Sequence, residues 1–141
     1  MQKELELKLV EKYPKLFEDY GKSEMETCMA WGCECGNGWY LILDELFEKL
    51  SKFPDIVLAQ VKEKFGTLRV YLEGVTSENH TEVYGYVDSA TNKSSRTCEL
   101  CGEIGRLRTD GWFRVTCYNC EEKRNERLTQ RIFDDDDGYP D

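Results

Sequence analysis

Cys98-Glu-Leu-Cys101 and Cys117-Tyr-Asn-Cys120 stand 15 residues apart. This C-x2-C-x15-C-x2-C spacing decides the reading of the C-terminal third of the chain. Each C-x-x-C turn points two sulfurs at one spot, and two such turns supply four thiolates at about 2.3 Å from a single tetrahedral ion. Gly102 follows the first pair, where a knuckle commonly needs positive φ. Asp110-Gly111 lies between the pairs and is a strong two-residue turn signal. The stretch is therefore expected to form a zinc ribbon: two knuckles, a β-hairpin, and a closing helix over 118–133. One structural Zn²⁺ held by Cys98, Cys101, Cys117 and Cys120 is the expected cofactor, with a rubredoxin-like iron site as the alternative that the same donors permit. Four protein ligands leave no open position, so chemistry at this ion is not expected.

Outward from the ribbon, the chain reads as an α+β protein. Apolar Leu5, Leu9 and Tyr13 recur at helical spacing over 3–13 before Pro14. Gly21, Gly32, Gly36 and Gly38 make 21–38 read mostly as loop. Trp39, Ile42, Leu43, Leu46, Phe47 and Leu50 form one face of a helix over 39–52. Residues 56–65 and 67–73 flank Gly66 as a β-hairpin, with Leu68, Val70 and Leu72 alternating with Arg69 and Tyr71. A weaker helix over 79–96 has Val83, Val87 and Ala90 inward. The expected division is an α+β domain at 1–92, a zinc ribbon with closing helix at 93–133, and an acidic disordered tail at 134–141.

Composition narrows the function classes. The 141 residues carry a net charge of −9. By segment this is −7 over 1–92, +3 over 93–133 and −5 over 134–141. Four thiolates and one Zn²⁺ bring the middle segment to about +1. An acidic surface repels phosphate and argues against a simple nucleic-acid coat. No apolar run reaches the roughly 18 residues of a membrane span. The charged start, Met1 to Glu6, lacks the apolar core of a signal peptide, so a reducing, cytoplasmic setting is expected. There, seven cysteines point to metal or free thiols rather than disulfides.

Catalytic constellations are missing from the sequence. The single histidine, His80, sits in a polar stretch, and the glycines lack the Lys-Ser/Thr of a phosphate loop. Cys28, Cys33 and Cys35 do not have a regular zinc spacing. They read as packed thiols, with a second metal site or a cysteine-dependent enzyme as alternatives. Two surfaces suggest binding instead. Arg106, Arg108, Trp112 and Arg114 cluster on the ribbon hairpin, followed by Lys123, Arg127 and Arg131 on one helix face. Lys62, Lys64 and Arg69 gather on the polar face of the first hairpin. Arginine and aromatic side chains of this kind serve protein interfaces and phosphate contacts alike.

Several stretches together resemble a known group. They are Tyr13-Pro-Lys-Leu-Phe17, Glu26-Thr-Cys-Met-Ala-Trp-Gly32, Cys35-Gly-Asn-Gly-Trp39, Gln60-Val-Lys-Glu-Lys-Phe-Gly-Thr-Leu-Arg69 and Arg96-Thr-Cys-Glu-Leu-Cys-Gly102. Gly105-Arg-Leu-Arg108, Gly111-Trp112 and Cys117 complete the set. Their order resembles a family of small uncharacterised proteins of phages, prophages and bacterial genomes, over roughly residues 13–120. Cys28 and Cys35 fall within the family wording, whereas Cys33 departs from it. The resemblance implies the ribbon zinc and the cytoplasm of a bacterial cell, including a phage-infected one. It also implies an accessory role: a non-enzymatic protein that binds and modulates or inhibits a host protein, such as a defence system. A nucleic-acid-binding accessory protein is the alternative expectation.

Overall fold

The computed structural model describes residues 1–136 and bears out an α+β fold with a C-terminal four-cysteine ribbon. Helix α1 covers Lys3–Lys12, and α2 covers Tyr40–Leu50. Strands β2 (Val57–Lys64) and β3 (Thr67–Glu73) form the expected hairpin. Its two-residue turn has φ of 54° at Phe65 and 84° at Gly66. Positive φ at both central positions matches the right-handed twist of the strands, and at Phe65 it is a conformation few bulky residues adopt.

The 21–38 segment holds more structure than its glycines suggest. Cys28–Trp31 and Asn37–Trp39 are 3-10 turns. Cys33–Glu34 is a short strand, β1, that pairs in parallel with β2 through Cys33↔Val61 and Glu34↔Lys62. The sheet order is β1-β2-β3. The carboxylate of Glu6 in α1 pins this edge, accepting the Cys33 N–H at 2.5 Å and the Tyr20 hydroxyl at 2.8 Å.

One face of the sheet carries the core. Leu58, Val61, Leu68 and Val70 are buried with Leu9, Leu16, Phe17, Met29, Trp39, Leu43, Phe47 and Leu50. Phe47 forms T-shaped pairs with Tyr13 and Phe17, with centroids 5.9 and 5.4 Å apart. Burial of each such side chain stabilises the fold by roughly 2–3 kcal/mol. Helix α3 (His80–Ser94) adds Val83, Val87 and Ala90 to this layer, as their spacing predicts. On the other face, the register sets Gln60 opposite Tyr71 and Lys62 opposite Arg69.

The expected boundary after residue 92 falls inside α3, which continues to Ser94. Ser94 is fully buried, and its Oγ accepts the Leu68 N–H at 2.9 Å. The ribbon then docks on the 36–39 segment. Trp39 Nε1 donates to Thr97 O at 2.9 Å, and Gly38 N to Glu99 O at 2.7 Å. A Cβ on Gly38 would collide with Cys98 O, so only glycine permits this approach.

The expected disordered tail is corrected in part. Helix α4 runs over Tyr118–Asp136, so residues 134–136 continue the closing helix. Once nucleated at the second knuckle, each further residue adds one backbone bond, and Gln130 Nε2 donates to Asp134 Oδ1 at 3.0 Å. Residues 137–141 of the expected tail lie outside the described residues.

Candidate metal centre

The four ribbon thiols meet at one point. The Sγ atoms of Cys98, Cys101, Cys117 and Cys120 all lie within 4.8 Å of one another. Cys101 Sγ and Cys117 Sγ are 3.6 Å apart. Ligands about 2.3 Å from a tetrahedral ion sit about 3.8 Å apart, so the spacing fits a metal of that size. Each knuckle presents a backbone N–H to a sulfur: Glu103 N to Cys101 Sγ at 3.5 Å, and Cys120 N to Cys117 Sγ at 3.4 Å. Such donors favour thiolate. The Cys120 N–H, first among the causes, holds the Cys117 thiol down to about 7. Four ionised sulfurs this close would repel strongly without a cation. Among the described residues, no second group of three or more His, Cys, Asp or Glu converges in this way.

The first knuckle closes through Gly102 at φ 86°, whose N–H reaches Cys98 O at 2.9 Å. The hairpin between the knuckles is short: β4 (Arg106–Arg108) pairs with β5 (Arg114–Thr116). Its tip turns at Asp110-Gly111, with φ of 90° at Gly111.

The remaining cysteines are separate from this centre. Cys28 is exposed, while Cys33 and Cys35 are buried. Burial pushes both buried thiols up, Cys35 to about 12, opposite to the direction a reactive thiolate requires. His80 is exposed at the start of α3, its ring 4.6 Å from that of Tyr84.

The expected contact residues divide into two groups. Lys62, Lys64 and Arg69 share the solvent face of the first hairpin, with the Lys62 ammonium 5.8 Å from the Tyr71 ring. Arg106 is exposed, and Trp112 is 76% exposed. Arg108 is partly committed to the ribbon, its Nε donating to Thr116 Oγ1 at 3.2 Å.

Arg114 is a correction, because it is only 8% exposed. Its guanidinium spans the Glu121 carboxylate, with Nε to Oε2 at 3.2 Å and a second bond from Nη2 to Oε1. Nη1 also donates to Trp112 O at 2.9 Å and to Asp110 O at 3.2 Å. Arg114 therefore braces the hairpin tip against α4. Hydrogen bonds from Arg114 and then Thr116 hold the Glu121 carboxyl down to about 2, against the opposing effect of burial.

The two hairpins, distant in sequence, meet at their tips. Phe65, 64% exposed, and Phe113 stand edge to face with centroids 6.4 Å apart. A Cβ on Gly66 would lie 2.7 Å from Leu107 Cδ1, so the turns are in direct contact. Between them is a mainly apolar cleft of about 490 Å³, lined by Lys62, Glu63, Lys64, Phe65, Trp112 and Phe113. Phe65 and Phe113 were not singled out from sequence. The available signal was an aromatic placed directly before the turn glycine of a two-residue loop.

Fold and site together define a small α+β protein with a C-terminal four-cysteine ribbon. The chain matches no family model, no curated protein and no solved structure. Among the described residues, no helix is long and apolar enough to cross a membrane.

Proposed function

We propose that this chain is a non-enzymatic zinc-ribbon protein, phage- or prophage-related, that binds and modulates or inhibits a host protein. One structural Zn²⁺ would be held by Cys98, Cys101, Cys117 and Cys120, since an all-thiolate tetrahedral donor set suits zinc. The ion's contribution is to fix the ribbon hairpin; the reading assigns it no reaction step.

The observation that carries the proposal is the cleft between the hairpin tips. Phe65, Trp112 and Phe113 are large, exposed aromatics beside Lys62 and Lys64. Aromatic anchors rimmed by charge are the residues that dominate protein interfaces. Phe65 also holds an unfavourable backbone conformation at the tip, and such strain concentrates at functional positions.

The test is capture of partners from the native host lysate, with and without nuclease, by wild-type chain and by a Trp112→Ala/Phe65→Asn variant. Asn tolerates positive φ, so the turn survives. A protein retained after nuclease by wild type and lost by the variant supports the proposal. Equal capture by both would refute the cleft as the contact surface.

Nucleic-acid binding is a second reading, favoured by the Lys62, Lys64, Arg69 and Tyr71 face, whose Lys62 and Lys64 line the cleft with Trp112. It requires binding that disappears with nuclease and weakens steeply with salt. The net charge of −9 weighs against it.

A further inference from the structure

Helix α4 leaves the body of the protein after its first two turns. Glu121 is buried and Arg124 is partly covered. Among the described residues, every one from Asn125 to Asp135 is exposed. Those eleven residues extend about 16 Å at 1.5 Å each. A helical arm of this length with no buried side chain among these residues is marginal in water, because most helix stability in proteins comes from packing one face.

The arm has a face to pack. Leu128 and Ile132 are one turn apart and 40% and 65% exposed, whereas Phe133 lies beyond Thr129 on the neighbouring face with Glu122 and Glu126. Asn125 and Thr129 flank this stripe on one side. Arg124, Arg131 and Asp135 line the other at helical spacing. Charge is also polarised along the axis. Lys123, Arg124, Arg127 and Arg131 precede Asp134 and Asp135, and no basic residue occupies the last turn. That order opposes the macrodipole, which favours cations at a helix C-terminus. A partner helix with its basic end beside these aspartates would relieve the mismatch.

We infer that α4 is a self-association arm, and that two copies of the chain pair their α4 helices antiparallel through Leu128 and Ile132. A two-fold axis near residue 130 sets Leu128 of each copy against Ile132 of the other, since such an interface must be self-complementary. Antiparallel pairing brings the same flank of both helices together, so Arg124 of one faces Asp135 of the other, twice, against one Arg131–Arg131 approach near the axis. The apolar stripe is short, and the buried area falls below the roughly 1,200 Å² of a standard interface. The dimer is therefore weak and concentration-dependent. At its root the arm touches the body through Arg124, 3.7 Å from Glu121 Oε1, but the hairpin cleft takes no part, so the arm is independent of the binding reading above.

Sedimentation equilibrium on the full metal-loaded chain, from about 1 μM to about 1 mM, tests this directly. The expected result is a monomer–dimer equilibrium that Leu128→Glu/Ile132→Glu abolishes. Asp135→Lys alone and Arg124→Glu alone should each weaken it about tenfold, because each places two like-charge pairs in the homodimer. Mixing these two variants should restore wild-type affinity, since both cross-pairs are then opposite in sign. A wild-type chain that stays monomeric throughout would overturn the inference. So would a dimer that the Leu128/Ile132 change leaves intact, or charge variants that do not rescue one another.

Discussion

Replacing Arg114 with Met should destabilise the ribbon by about 3 kcal/mol. Met keeps the apolar stem and removes the guanidinium. The Glu121 carboxylate, 8% exposed, would then retain the Thr116 hydroxyl at 2.7 Å and the partly covered Arg124, whose Nη1 lies 3.7 Å away. Breaking a buried ion pair from one side typically costs about 3–5 kcal/mol, because the other charge stays desolvated. Here the lower end applies: Asp110, the second carboxylate on Arg114 at 3.1 Å, is largely in solvent, and water can replace what the carbonyls of Asp110 and Trp112 lose. The Arg114→Met/Glu121→Leu double variant should recover at least about 1.5 kcal/mol of the loss, since it leaves neither charge behind.

Two assays read this effect. Urea unfolding followed by circular dichroism gives the global change. Metal release to a chromogenic chelator gives the local one, and 3 kcal/mol of easier opening corresponds to release about 100-fold faster. If Arg114→Met shifted stability by less than about 0.5 kcal/mol, the bracing role would be wrong. If it also abolished partner capture, Arg114 would be a contact residue after all.

Other expectations follow from single sites. Cys98→Ser should lower the metal content from one zinc per chain to near zero and unfold the ribbon, as structural zinc contributes roughly 10 kcal/mol or more; retained stoichiometric zinc would contradict the assigned ligands. Gly38→Ala should cost about 2 kcal/mol or more, because the new methyl meets Cys98 O and lies 2.6 Å from Gly102 N. Gly85→Ala, in α3 with nothing within 4 Å, should instead stabilise by up to about 1 kcal/mol, and thermal melts of the pair separate the two effects. Tyr13, pushed up to about 12 by burial and then by Asp44, contributes stability that is complete below its ordinary value of 10.0 and lost as pH rises through about 12. Ultraviolet titration should show a late-ionising component that is lost in Tyr13→Phe.

Periodicity made the helices legible. The stripe from Trp39 to Leu50 and the inward set Val83, Val87 and Ala90 each have one burial solution, and the structure adopts it. The ribbon was equally legible, because four thiols at that spacing leave few other geometries. Strand β1 was not. Two residues show no period, and its parallel partner lies 28 positions away. The contact at Gly66 and Leu107 is invisible for the same reason: it depends on where α3 delivers the chain. Arg114 was misread because an arginine beside Trp112 looks like a surface anchor. Its Glu121 partner is seven residues on, across the second knuckle, and only the turn into α4 brings them together.

The same wiring ties the metal centre to the hairpin cleft. Each ribbon strand is three residues long, too short to hold Trp112 and Phe113 in place by sheet pairing alone. The tip is fixed from three sides: by the knuckles at the base, by Arg114 and Glu121 across the back, and by Leu107 against Gly66 at the front. Withdrawing the proposed metal would release the base, and the Arg114 brace would weaken with it because Glu121 sits directly after Cys120. Phe65 would remain on its turn, but its aromatic neighbour would lose a fixed position. A chelated chain should therefore lose capture through the cleft while α1, α2 and the three-stranded sheet stay folded. Unchanged binding by the chelated chain would place the contact surface on the sheet face of Lys62, Lys64 and Arg69 alone.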